Sequence, residues 1–247
     1  MRRFKRSRPK SPPPTDAGAG WTYGVRAVTE LIDAAPDAIQ KLLVTAEVAR
    51  RVDLKGRTPA IVDRDELTRL LQTDSHQGIA ARVRPFKFAA ASLLDEIADG
   101  VVVVLDHVED PQNVGAIARS SVVFGARALV IAKDRAAGVT AGTIKASAGA
   151  VFRLPVVEVT NIADTARALA TRGFAVIGAD ANGGVSSRDI AWGTKTALIL
   201  GAERRGLRAI VRDACTAIVR IPQATDRIPL NVSNAAAVLL YEAAAHR

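Results

Sequence analysis

Three short stretches of this sequence carry more glycines and polar side chains than a plain turn needs. They are DPQNVGAIARS (110–120), GAERRGL (201–207) and IPQATDRIPLNVS (221–233). Among their side chains are the carboxamides of Asn113 and Asn231, the carboxylate of Glu203 and the guanidinium of Arg119, besides the adjacent Arg204 and Arg205. Groups of this kind hold polar or anionic substrates and stabilise developing charge. By residue type alone each also has an ordinary explanation. Asn113 and Asn231 suit helix N-caps, Glu203 suits an ion pair with a neighbouring arginine, and Arg119 suits a solvated helix face. Gly201 permits close approach to the backbone.

Other chemistries find little support. No G-x-G-x-x-G follows the first strand of the second half, and GTKT at 193–196 lacks the leading glycines of a P-loop. His76, His107 and His246 are scattered without ligand spacing, so no metal site is expected. No G-x-S-x-G elbow marks a serine hydrolase. The single cysteine, Cys215, rules out a disulfide framework and reads as a buried thiol. Nucleotide chemistry without a phosphate-cradling loop remains.

The elements that must position these loops alternate in the manner of an α/β protein with a parallel sheet. VVVVLDHV (101–108) is a continuous apolar run, as expected of a strand covered on both faces. A helix is predicted over 113–126, then strand 128–132, helix 140–152, strand 155–159, helix 162–173 and strand 174–180. Strand 196–203, helix 206–214, strand 216–222 and a last helix over 231–247 follow. Val232, Ala235, Ala236, Leu239 and Ala243 recur at helical spacing and should bury one face. The three polar loops all leave the carboxyl ends of strands, where open α/β sheets bind ligands.

Ahead of this lies a smaller unit. Helix 24–35, strand 41–46, helix 64–71 with Asp63 as candidate cap, and strand 78–85 make an α/β domain over 21–85. A linker over 86–98 leads to the second domain at 99–247. Residues 1–20 read as a disordered basic tail and Pro/Gly linker. Arg2, Arg3, Lys5, Arg6, Arg8 and Lys10 supply six of the net nine positive charges. Such arms bind nucleic acid or simply solubilise. No run approaches the ~20 apolar residues that cross a bilayer, and no apolar segment follows the tail charges as in a secretory signal. A cytoplasmic protein is expected.

DPQNVGAIARSSVVFGA (110–126), LGAERRGL (200–207) and IP…LNVSNAAAVLLYE (221–242) together resemble the three signature motifs of the SpoU/TrmH class of SPOUT RNA methyltransferases. The resemblance implies a C-terminal α/β domain with a deep trefoil knot, S-adenosylmethionine as cofactor, and methylation of a ribose 2′-oxygen. It implies that Arg119 engages RNA phosphate and helps deprotonate the ribose hydroxyl. Asn113, Glu203 and Asn231 become active-site residues. Gly201, with Ala202 beside it, Ile221 and Leu230 become the cofactor-holding backbone. One position departs: the family reads S-L-N-V-S, and this chain reads PLNVS, with Pro229 where the serine hydroxyl would be.

YGVRAV (23–28) and HQGIAARVRP (76–85) are similar to the substrate-binding domain of the 23S ribosomal RNA guanosine 2′-O-methyltransferases. That resemblance implies a small RNA-binding domain, with Arg26, His76 and the tail arginines and Lys5 as RNA contacts. The family also implies a homodimer through the knotted domain, with the apolar face of the last helix contributing. Two rivals keep the fold: the same reaction on transfer RNA, and a cofactor-binding RNA-binding protein with little turnover because of Pro229. A nucleotide-dependent oxidoreductase lacks its glycine fingerprint.

Overall fold

The computed structural model describes residues 20–134, 136–202, 205–225 and 228–246. The basic tail (Arg2, Arg3, Lys5, Arg6, Arg8) and Glu203 therefore lie outside the described residues.

The N-terminal unit contains β1 (Trp21–Tyr23), α1 (Val25–Ala34), β2 (Ile39–Val44), α2 (Ala46–Arg51), β3 (Ala60–Ile61), α3 (Arg64–Leu71) and β4 (Ile79–Val83). Its sheet runs β1-β4-β2-β3, with β4 antiparallel to both neighbours and β3 parallel to β2. β1, α2 and β3 were not expected from the sequence. Thr45 follows β2 and caps α2, its side chain accepting from the Val48 amide. Asp63 precedes α3, but its side chain makes no capping bond.

The segment expected to be a linker is packed instead. α4 (Leu93–Glu96) buries Leu94, and the Ala89 amide donates to the Val156 carbonyl at 2.8 Å. The second unit then runs β5 (Gly100–Asp106), α5 (Pro111–Val123), β6 (Ala128–Ala132), α6 (Ala141–Ala146), β7 (Val156–Val159), α7 (Ile162–Thr171) and β8 (Ala175–Ala179). β9 (Val185–Ser186), β10 (Lys195–Gly201), α8 (Ala209–Arg212), β11 (Ala217–Arg220) and α9 (Val232–Ala245) complete it. These strands form one parallel sheet in the order β7-β6-β5-β10-β8-β11-β9.

All seven residues of β5 are buried because helices cover both faces of the sheet. Val101, Val103 and Leu105 point to the side of α5 and α9, while Val102 and Val104 meet α7. The chain goes from β5 outward to β6 and β7, then returns to β8 on the far side of β10. This reversal opens a crevice at the carboxyl ends of the central strands, the position where such sheets bind ligands.

Two predicted helices are shorter than their sequence periodicity suggests. The stretch 140–152 breaks into α6 and a 3-10 turn, Ala150–Arg153. Ala148 and Gly149 adopt φ of 52° and 86° there. A Cβ on Gly149 would lie 2.7 Å from the Glu30 side chain, so close docking against α1 requires glycine. Arg153 pairs with Glu30, and the Lys145 ammonium sits 4.1 Å from the Tyr23 ring centre, tying the two units together. The helix expected over 206–214 survives only as α8, because Gly206 (φ 62°) and Arg208 belong to a tethered loop.

Candidate active site

Register sets the site. Asp106 of β5 pairs with Gly201 of β10, Leu200 with Ala179 of β8, and Ala179 with Val219 of β11. The strands thus end level, and their loops emerge side by side. A cleft of about 370 Å³ lies over the ends of β8, β10 and β11. Gly201, Ala202, Ile221 and Leu230 all line it, as does Pro229. Leu200, Val219, Val232 and Leu239 give it apolar walls, and Asp180 and Asn182 add polar groups.

Gly201 is needed for shape. A Cβ there would stand 2.2 Å from the Gly206 carbonyl carbon, so only glycine lets loop 201–206 fold back on its strand.

The two asparagines come together. α5 begins with Pro111 and is capped by Asp110, whose carboxylate accepts from the Gln112 amide at 2.9 Å; the cap expected of Asn113 is therefore filled by another residue. Asn113 is free to point inward, is buried, and its Oδ1 accepts from Asn231 Nδ2 at 3.2 Å. Asn231 also caps α9, its Oδ1 accepting from the Ser233 amide at 2.8 Å and the Ser233 hydroxyl at 2.6 Å. The amino ends of two long helices, both positive by their dipoles, thus converge beside the cleft. Arg119, six residues beyond Asn113, does not line the cleft. Its side chain is exposed and makes no hydrogen bond or ion pair among the described residues.

Two carboxylates were missed in the sequence. Asp106, buried at the end of β5, accepts from the Arg208 amide at 3.0 Å and from Arg208 Nε at 2.7 Å, and also meets the His107 ring at 3.0 Å. Asp180 accepts from the Asn182 amide at 2.8 Å and from Arg212 at 2.5 Å. Both tie segments beside the strand ends to the sheet. The only signal for Asp106 was an acid closing an apolar strand.

His76 is not the exposed RNA contact that the resemblance implied. Its ring is fully buried; Nδ1 accepts from the Gly78 amide at 3.0 Å, and Nε2 lies 3.0 Å from the Thr68 hydroxyl. It shapes the turn before β4. Arg26 is exposed on α1. Burial pushes the Cys215 thiol up to about 11, so it stays protonated and unreactive near neutrality. Among the described residues, no three His, Cys, Asp or Glu side chains gather as a metal site would need.

Comparison with known proteins agrees with this geometry. The profile of the SpoU rRNA Methylase family matches residues 100–241. A second, for RNA 2′-O ribose methyltransferase substrate binding, matches residues 21–89. An "uncharacterized tRNA/rRNA methyltransferase" of Mycobacterium tuberculosis is 38% identical over 229 residues, covering 91% of this chain and 70% of the relative. The SpoU methyltransferase AviRb of Streptomyces viridochromogenes, solved in complex with the cofactor AdoMet, is 28% identical with a TM-score of 0.75, covering 94% of this chain and 91% of that one. An rRNA methyltransferase of Sinorhizobium meliloti is 25% identical with a TM-score of 0.75, covering 94% and 88%. With more than half of its length matched by the profile, this chain belongs to the SpoU rRNA methylase family.

Proposed function

We propose that the protein transfers a methyl group from S-adenosylmethionine to a ribose 2′-hydroxyl of RNA, and that the target is a guanosine in 23S ribosomal RNA. The observation that carries this reading is the Asn113–Asn231 contact, which joins two helix amino ends beside a cleft whose loops offer backbone groups. The cleft volume of about 370 Å³ and its apolar walls suit a nucleoside-sized cofactor. The AviRb complex with AdoMet supports that cofactor.

Gly201, Ala202, Ile221 and Leu230 would hold the cofactor through backbone groups, and Asp180 and Asn182, which line the same cleft, would offer it polar partners. When bound, S-adenosylmethionine supplies an electrophilic methyl carbon on a sulfonium. The chain's own contribution is alignment and charge stabilisation. Arg119, exposed on α5, clamps an RNA phosphate and stabilises the 2′-oxygen as its proton passes to solvent water. Asn113 and Asn231 fix the surrounding loops, and Glu203 orients neighbouring groups. The N-terminal unit with Arg26, and the tail with Arg2, Arg3, Lys5, Arg6 and Arg8, hold RNA outside the cleft. The chain works as a homodimer through a knotted second domain.

The test is transfer of labelled methyl to ribosomal RNA, with digestion to nucleosides. We expect 2′-O-methylguanosine from wild type. Arg119→Ala should lose about 10²–10³ in rate with cofactor affinity unchanged. Base methylation, or activity on transfer RNA alone, would overturn the finer assignment.

A further inference from the structure

A second opening lies where the two units meet. A cleft of about 850 Å³ runs between the end of β4, the connecting segment and the start of β7. The chain has only six phenylalanines, and Phe86, Phe88 and Phe152 gather here. Phe86 packs edge-on against Phe88 at 5.3 Å between ring centres and lies 5.5 Å from Phe152. All three are only half-buried. Arg84 and Lys87 alternate with these rings on the connecting segment. Both are exposed, and neither makes a side-chain hydrogen bond or ion pair among the described residues. Arg153 is held by Glu30, and one acid, Asp37, stands on the rim.

A segment that merely joined two units would not need aromatic faces left open to water beside uncompensated positive charge. Rings interleaved with basic side chains match single-stranded or looped RNA, whose unstacked bases lie on aromatic faces while phosphates meet lysine and arginine. We propose that this cleft is a second RNA site, in which one unstacked base packs on Phe86 and Phe88 while Arg84 and Lys87 hold the flanking phosphates. It sits at the amino end of β7, whereas the methyl-transfer cleft lies at the carboxyl ends of the strands. The base it holds is therefore not the nucleotide modified. The site selects RNA with a loop or single strand at a distance from its target. This inference rests on the reading of the protein as an RNA enzyme.

The experiment compares the full chain's binding of a labelled 12-nucleotide oligoadenylate with that of an abasic strand of equal length. Wild type should prefer the strand with bases by roughly five- to a hundredfold, the range of one base–aromatic stack. Phe88→Leu should remove most of that preference, and Phe88→Tyr should keep it. Arg84→Ala with Lys87→Ala should weaken both strands alike. Photocrosslinks from a 4-thiouridine strand to wild type should map to the 84–88 and 152–155 segments, a readout that does not depend on any variant folding. No base preference in wild type, an unchanged preference in a folded Phe88→Leu protein, or crosslinks confined elsewhere would each overturn the site. Methyl transfer measured on the same wild-type protein separates this failure from failure of the enzymatic reading.

Discussion

Asn231 uses a single amide for two purposes. Its oxygen caps α9 through Ser233, and its nitrogen reaches Asn113 at the start of α5. Losing it would free one helix end and break its bridge to the start of α5. Two residues earlier stands Pro229, lining the cleft at the position where the resembled motif reads serine. The other motif residues are present in the sequence, and proline fixes φ in the loop leading to Asn231. We therefore expect wild type to be active and Pro229→Ser to be faster, by up to about 10²–10³, the usual worth of one positioned donor. Methyl-transfer rates decide it: an inert wild type revived by Pro229→Ser would mark a binding protein derived from an enzyme. His76 gives a second expectation at this scale. Burial holds its ring below the ordinary histidine value, Arg64 adds to that, and Asp74 opposes it. Protonating Nδ1 would also expel the Gly78 amide it accepts from. The unfolded chain thus takes up a proton before the folded one does. Stability is complete above the ordinary value of about 6.5 and falls as pH drops below it. Melting temperatures across pH 7 to 5 should show this fall, and His76→Gln should be less stable at pH 7 and flatter in its acid response.

The loop from Gly201 to Gly206 depends on one missing methyl group. Gly201→Ala would drive a Cβ against the Gly206 carbonyl carbon, where the contact is 2.2 Å, so the backbone must move. We expect a loss of about 1–3 kcal/mol in stability from overpacking and a fall of more than tenfold in cofactor affinity. Gly184→Ala, with nothing within 4 Å of the added atom, is the matched control and should change neither in titration or melting experiments. At the scale of elements much was legible beforehand. The run Val101–Leu105 reads as a strand covered on both faces, and it is buried throughout. The helical spacing of Val232, Ala235, Ala236, Leu239 and Ala243 gives the buried face of α9, except that Ala235 is half-buried at the cleft and Leu240 must be added. The cleft-lining quartet Gly201, Ala202, Ile221 and Leu230 came from motif resemblance, and periodicity had no access to it. What stayed hidden are pairings set by tertiary contact. Nothing near Gly149 announces Glu30, 119 positions earlier, yet that neighbour breaks the helix. Asp106 and Arg208 are 102 positions apart, and only the parallel register of β5 and β10 brings their loops together. Local sequence also hides that Asp110 takes the cap that Asn113 could have filled.

Over the whole molecule, polar chemistry and apolar surface lie on the same two helices. α5 and α9 pack on one another, and their amino ends meet at Asn113 and Asn231. Their outer surface leaves Val123 69%, Tyr241 62% and Val238 38% exposed. Phe124 packs edge-on against the Tyr241 ring at 6.0 Å between centres. None of the described helices is long and apolar enough to cross a membrane, so a bilayer-spanning role does not explain these side chains. The homodimer proposed above would account for them. Apolar side chains clustered on one face mark an association surface, and a two-fold contact presents the same patch from both partners. A stable interface of this kind buries about 1,200–2,000 Å² in total, so neighbouring parts of α5 and α9 must join the three side chains. Light scattering on wild type should give twice the chain mass, and Tyr241→Arg with Val123→Glu should give a monomer with unchanged far-UV circular dichroism. Because α9 begins at the cleft-lining Val232, freeing its outer face should also loosen the 221–231 loop. The monomer is therefore expected to bind S-adenosylmethionine several-fold more weakly and to lose methyl transfer. A monomeric wild type, or a monomeric variant with full cofactor affinity, would separate assembly from the site.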